Sequence, residues 1–145
     1  MDLAEPFVIT ENQNLYIFVV VDVATCYIIA QPLLNKQSDS VTKTLMSIFR
    51  DYGIVIVGHF IQSDNSHQFC NDITDASVRL ITNTLRKLSG QDFRNWDEIL
   101  PTIQLCCNMK VRPRSESSSF FLMFARKMNW IGDYSQEGVT DKTVC

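Results

Sequence analysis

Leu15-Tyr-Ile-Phe-Val-Val-Val-Asp22-Val-Ala-Thr-Cys-Tyr27-Ile-Ile-Ala-Gln-Pro-Leu-Leu34 decides the fold, because it reads either as one membrane-crossing helix or as two strands. Asp22 near its centre, Gln31 and Pro32 towards its end, and a surplus of β-branched residues all oppose a lipid-embedded helix. Two strands joined by the polar Asp22–Thr25 turn satisfy the same residues. Continuous apolar runs mean strands covered on both faces, and so short a connection makes the pair an antiparallel hairpin. No membrane span is expected. Upstream, Asp2 to Thr10 reads as a short strand over residues 3–9, with Asn12-Gln-Asn14 as the turn that follows.

Downstream of the hairpin the hydrophobic period changes from two to 3.6. Val41, Leu45, Ile48, Phe49 and Tyr52 mark an amphipathic helix over 39–52, with Ser38 or Ser40 as its cap and Gly53 at its C-terminal end. Ile54 to Ile61 reads as a strand over 54–63, broken or bulged at Gly58 and ending at Asp64. A second helix over 75–89 is predicted from Val78, Ile81, Leu85 and Leu88, with Arg86 and Lys87 in the last turn. A third, over 96–109, opens at Asn95 with Glu98 as a capping-box partner and contains Pro101. Lys110 to Ser119 reads as a basic loop rich in Pro and Ser, followed by the apolar run Phe120 to Phe124.

The chain has 145 residues, 46% of them hydrophobic and 20% charged, which suits one soluble domain over residues 1–130 with a disordered tail over 131–145. A formal charge of −3 gives no global signal for nucleic acid. Its distribution is uneven: residues 1–78 carry −6, residues 79–127 carry +5 and residues 128–145 carry −2. The basic middle suits an anionic partner or a solvated helix face. Five cysteines without CxxC spacing and only His59 and His67 beside them make a zinc site an unsuitable reading; reduced intracellular thiols are expected. Asp2 and Glu5 stand where a signal peptide carries positive charge.

Asp64 sits at a strand's carboxyl end, where α/β sheets build sites, although the same carboxylate serves as a turn or helix cap. Several further pieces carry a more specific resemblance. They are Asp2-Leu-Ala-Glu-Pro-Phe7; Phe18-Val-Val-Val-Asp22 with Tyr27; Pro32-Leu-x-x-Lys36; Ile48-Phe49-x-x-Tyr52-Gly53; Gln62-Ser-Asp-Asn65 with Phe69; Asn95-Trp96 to Leu100-Pro-Thr-Ile-Gln104; Asn108; and Leu122-Met-Phe124 with Arg126. In this order the chain resembles the catalytic core of Ty3/gypsy-type retrotransposon integrases, and host proteins derived from them, from Asp2 to about Trp130. The resemblance implies an α/β fold of the ribonuclease H-like type, a mixed sheet with flanking helices.

The chemistry implied is phosphoryl transfer on DNA by two Mg²⁺ or Mn²⁺ ions held about 3.5–4 Å apart by carboxylates from separate elements. Asp2 maps to the first-strand carboxylate and Asp64 to the second. Asp22 lies in a matching piece without being a ligand in the family. The third carboxylate is missing. Arg79 falls at its place, only 15 residues after Asp64, where the family spacing is roughly 35. The shortening implies that the fifth strand is lost, and Asp72 and Asp75 fall in the helix lead-in. Glu5, Ser66, Gln68, Ser119 and Ala125 also depart from the family residues, a Pro at the place of Ser119 and a Gly at that of Ala125 among them.

The chain is therefore expected to be a degenerate, intracellular integrase core, nuclear or cytoplasmic, with strand transfer lost and DNA contacts from Lys110, Arg112, Arg114, Arg126 and Lys127. A homo-oligomer stays open. The alternatives are an active two-metal integrase or nuclease using Asp2 and Asp64, and a protein-interaction module or non-functional remnant.

Overall fold

The period-two pattern of Tyr16 to Val21 places two different cores on the two sides of one sheet. Ile17 and Val19 face one way, and Phe18 faces the other between the half-buried Tyr16 and Val20. The computed structural model describes residues 1–4, 7–53, 68–88, 94–113 and 115–129. Its strands β1 (Asp2–Ala4), β2 (Tyr16–Val21) and β3 (Ile28–Leu33) form an antiparallel sheet in the order β1-β2-β3. Tyr16 stands opposite Leu33 and Val21 opposite Ile28, so the stretch from 15 to 34 is a hairpin. No described helix is long and apolar enough to cross a membrane.

Among the described residues, four helices cover this sheet: α1 (Ser38–Tyr52), α2 (Gln68–Leu88), α3 (Trp96–Met109) and the short α4 (Ser119–Phe124). On one face Ala4, Ile17, Val19, Ile28 and Ala30 pack with Ile81 and Leu85 of α2 and with Trp96, Leu100, Ile103 and Cys107 of α3. On the other, Phe18, Tyr27, Ile29 and Leu33 pack with Ile48 of α1 and Phe120 of α4. The architecture is mixed α/β, an antiparallel sheet between helical layers. The expected fourth strand, 54–63, and the tail, 131–145, lie outside the described residues, so the described sheet is antiparallel rather than mixed.

Helix α3 has the predicted bounds, and α1 begins one residue before them and ends at Gly53, whose φ of 66° lets its N–H reach the Phe49 carbonyl. Their N-termini differ from expectation. Gln37, not Ser38 or Ser40, occupies the cap of α1, without a side-chain bond. Asn95 is not extended (φ −117°, ψ 26°) and caps nothing with its side chain; the Glu98 N–H is shared between the Asn95 backbone carbonyl at 3.2 Å and Asp97 Oδ1 at 3.1 Å.

The second helix begins at Gln68 rather than near residue 75. Its buried stripe includes Thr74 and Ser77, polar residues that an apolar period does not register. The Ser77 hydroxyl is satisfied within the helix, donating to the Ile73 carbonyl at 2.8 Å. At the other end Leu88 is 56% exposed, so the stripe stops at Leu85.

The first strand is shorter than its predicted 3–9. Past it the chain still follows β2, with the Phe7 N–H on the Leu15 carbonyl at 2.8 Å, and reverses through Gln13 at φ 63°. Residues 110–119 are not a plain loop: β4 (Val111–Arg112) pairs antiparallel with β5 (Ser117–Ser118).

Pro32 suits the outer position of β3 in the described sheet. Residues 28, 30 and 32 turn their backbone groups away from β2. The Ile28 N–H and carbonyl bond the buried Asn108 side chain at 2.8 and 2.7 Å, and the Ala30 N–H donates to Gln104 Oε1 at 2.8 Å. At the third position Pro32 has no N–H to satisfy. Helix α3 thereby closes the edge with side-chain amides where a strand would otherwise add.

Candidate nucleic-acid interface

Asp2 stands opposite Val19 on β1, which puts it on the sheet face covered by α2 and α3. Its Oδ1 accepts the Leu3 N–H at 2.7 Å. Asp64 lies outside the described residues. Asp22 is committed to its own turn, accepting from the N–H and the hydroxyl of Thr25. Among the described residues no three His, Cys, Asp or Glu side chains are arranged to hold a metal ion. Of the two expected ligands the described residues include Asp2 alone.

Arg79 projects from the exposed side of α2, opposite the buried stripe, and has no ion-pair partner among the described residues. The guanidinium therefore does not stand in for metal charge beside Asp2. Asp72 and Asp75 are likewise exposed, and they belong to the helix itself rather than to a lead-in.

The cations divide into two kinds. Lys110, Arg126 and Lys127 are exposed. Arg112 is half-buried and donates from Nη2 to the Cys26 carbonyl at 3.0 Å, so it first serves to tie β4 to the turn between β2 and β3. Arg114 lies outside the described residues.

What the sequence does not announce is the aromatic cluster beside Arg112 and Arg126. Tyr27, next to Cys26, meets Phe124 edge to face at 5.4 Å between ring centroids, and Phe124 meets Phe120 at 4.9 Å. The Arg126 guanidinium sits 5.2 Å from the centroid of Phe120. On the inner side Tyr27 lies 5.9 Å from Tyr52, which accepts from Gln104 Nε2 at 2.9 Å. Burial, with the Tyr52 phenol adding to it, pushes the Tyr27 pKa up to about 12 against the opposing bonds of Gln104 and Asn108. Tyr27 is thus a neutral structural phenol. Cys107 is also a core group, its thiol pushed up by burial and by Cys106, with Lys110 and Arg112 pulling the other way.

No protein-family model matches the chain, and no curated protein matches it. Arg126 over Phe120 and Arg112 on the Cys26 carbonyl thus flank one aromatic cluster of Tyr27, Phe120 and Phe124.

Proposed function

We propose that this protein is a degenerate retrotransposon-integrase core of the ribonuclease H-like type, which binds DNA and no longer performs strand transfer. The observation that carries this reading is the order of parts around Asp2. A β1-β2-β3 antiparallel sheet is covered by helices on both faces, with Asp2 on its first strand and on the side that α2 packs against. That order agrees with the one the sequence resemblance implies. Loss of transfer is supported by Arg79, which occupies the third carboxylate's place and faces solvent without a carboxylate partner among the described residues. DNA binding is supported by the exposed cations Lys110, Arg126 and Lys127 in the basic segment 79–127; a nuclear or cytoplasmic location goes with the same reading.

The test uses the whole chain with a labelled duplex and a strand-transfer substrate in Mn²⁺. Binding is expected to weaken steeply with salt, by about 0.9 in log K per log salt for each phosphate neutralised, and no joined product is expected. Robust joining that depends on Asp2 would make the active two-metal reading correct. Absence of binding at low salt would leave the interaction module or remnant.

A further inference from the structure

The exposed face of α4 is aromatic where a solvated helix is polar. Phe121 is 40% and Phe124 37% exposed, one helical turn apart and so neighbours on the surface. A series of contacts links Phe124 to Arg112 at one end and to Arg126 at the other. Arg112 holds the Cys26 carbonyl; Tyr27 meets Phe124; Phe124 meets Phe120; and Phe120 lies under Arg126. The Thr25 hydroxyl also approaches Met123 Sδ at 3.9 Å, which pins the β2–β3 turn to α4. Residues distant in sequence therefore come together around Phe124, with Arg126 at the cluster's edge and the exposed Lys127 next to it in sequence.

Resting on the DNA-binding reading above, we propose that this surface takes single-stranded DNA, with unstacked bases on Phe121 and Phe124 and phosphates on Arg126, Lys127 and Lys110. A duplex hides the base faces in its own stack and offers phosphates alone, so exposed rings add nothing to its binding. A single strand supplies both phosphate charge and free π faces, and each base stacked on an aromatic ring adds affinity without sequence preference. Charge complementarity selects an anion, and the rings select an unpaired one.

The experiment measures fluorescence anisotropy of the full chain with a labelled mixed-sequence strand of roughly 20 nucleotides, longer than a single-strand footprint of about 4–16, and with the same sequence as duplex DNA. The strand is expected to bind at least tenfold tighter. Phe121 makes no ring contact with another described aromatic residue, so Phe121→Ala tests stacking without touching the cluster. That variant should lose between about 5-fold and 150-fold in affinity for the strand with its salt slope unchanged, while Phe121→Trp keeps the affinity. Replacing both Arg126 and Lys127 with Gln should lower the slope by about 1.4, from roughly 0.7 per phosphate on single strands.

Equal binding of strand and duplex, or unchanged strand binding by Phe121→Ala, overturns this proposal and leaves the DNA-binding reading in place. Tenfold tighter binding of the matching RNA strand overturns the choice of DNA. Absence of binding to either DNA form removes both readings. Sedimentation of the same variants completes the test: conversion of a dimer to a monomer by Phe121→Ala, with DNA affinity unchanged, makes α4 a self-association face and overturns the proposal.

Discussion

Asp97 concentrates more polar interactions than any residue singled out by the sequence. Only 8% exposed, its Oδ2 accepts from the Thr10 hydroxyl at 2.9 Å, Asn12 Nδ2 at 3.1 Å and Asn14 Nδ2 at 2.8 Å. The first turn of α3 is thereby bonded to the turn that precedes β2. Burial acts to raise the Asp97 pKa, and the bonds from Asn14, Asn12 and Thr10, with one from its own backbone, outweigh it, so the net shift is down from 3.8. A depressed folded pKa stabilises the protein above the unfolded value. That contribution is lost as pH falls from about 4 through the folded pKa. Asp97→Asn places an amide donor among donors and should destabilise the fold at pH 7 by about 1–3 kcal/mol, with a melting temperature less sensitive to acid than the parent's. Parallel melting curves for both proteins from neutral pH down to strong acid check this, and identical acid sensitivity would reject it. The two ends of α4 permit a second test. Ser119 is fully buried and its hydroxyl has no partner among the described residues, while Ala125 adopts φ 53°, a left-handed conformation costly for a residue with a Cβ. These are the positions where the resemblance has Pro and Gly, which suit a helix's first residue and its C-terminal cap. In urea titrations Ala125→Gly should stabilise by about 1 kcal/mol, and Ser119→Ala should leave the midpoint unchanged or raise it.

At the scale of elements, the closed edge of β3 matters as much as the helices. An open strand edge invites pairing with another chain. Here Asn108 and Gln104 occupy the outward positions at Ile28 and Ala30, and Pro32 has no N–H to offer at the next. Asn108 is wholly buried, so Asn108→Leu strands both the Ile28 N–H and carbonyl away from water. A loss of about 2–4 kcal/mol is expected from two unmet groups, with more self-association in light scattering; Gln104→Leu should cost less, since Gln104 is only half-buried and water can replace it. Equal effects would mean that burial does not control this edge. The bond from Asn108 to Ile28 crosses 80 residues of sequence, which is why both amides matched family letters without revealing a role. Local order was legible where one apolar stripe sufficed, as in α1 and α3. It failed at the start of α2, where Thr74 and Ser77 carry the buried face. The cations were legible as residues, but whether a guanidinium lies over a ring, as at Arg126, or on a carbonyl, as at Arg112, is set only by tertiary contacts.

Across the whole molecule, the two cores cannot loosen separately if the strands between them belong to both. Ile28 and Ala30 of β3 enter one core while Tyr27, Ile29 and Leu33 enter the other, and β2 divides its residues in the same way. Moving one strand exposes both faces. A substitution on one side should therefore weaken the structure on the other, giving one cooperative transition. Ile48 lies in the α1–α4 core and Trp96 in the α2–α3 core, each 2% exposed or less. The chain has two tryptophans, so in a Trp130→Phe background the fluorescence of Trp96 reports its own layer alone. Ile48→Ala removes a buried aliphatic side chain and should cost about 2–5 kcal/mol. Its effect should appear fully in the Trp96 transition, with the same change of denaturant midpoint as far-UV circular dichroism. A Trp96 midpoint that stays in place while the dichroism midpoint falls would show that the layers unfold apart, and the sheet would then be a boundary between two cores rather than the element that couples them.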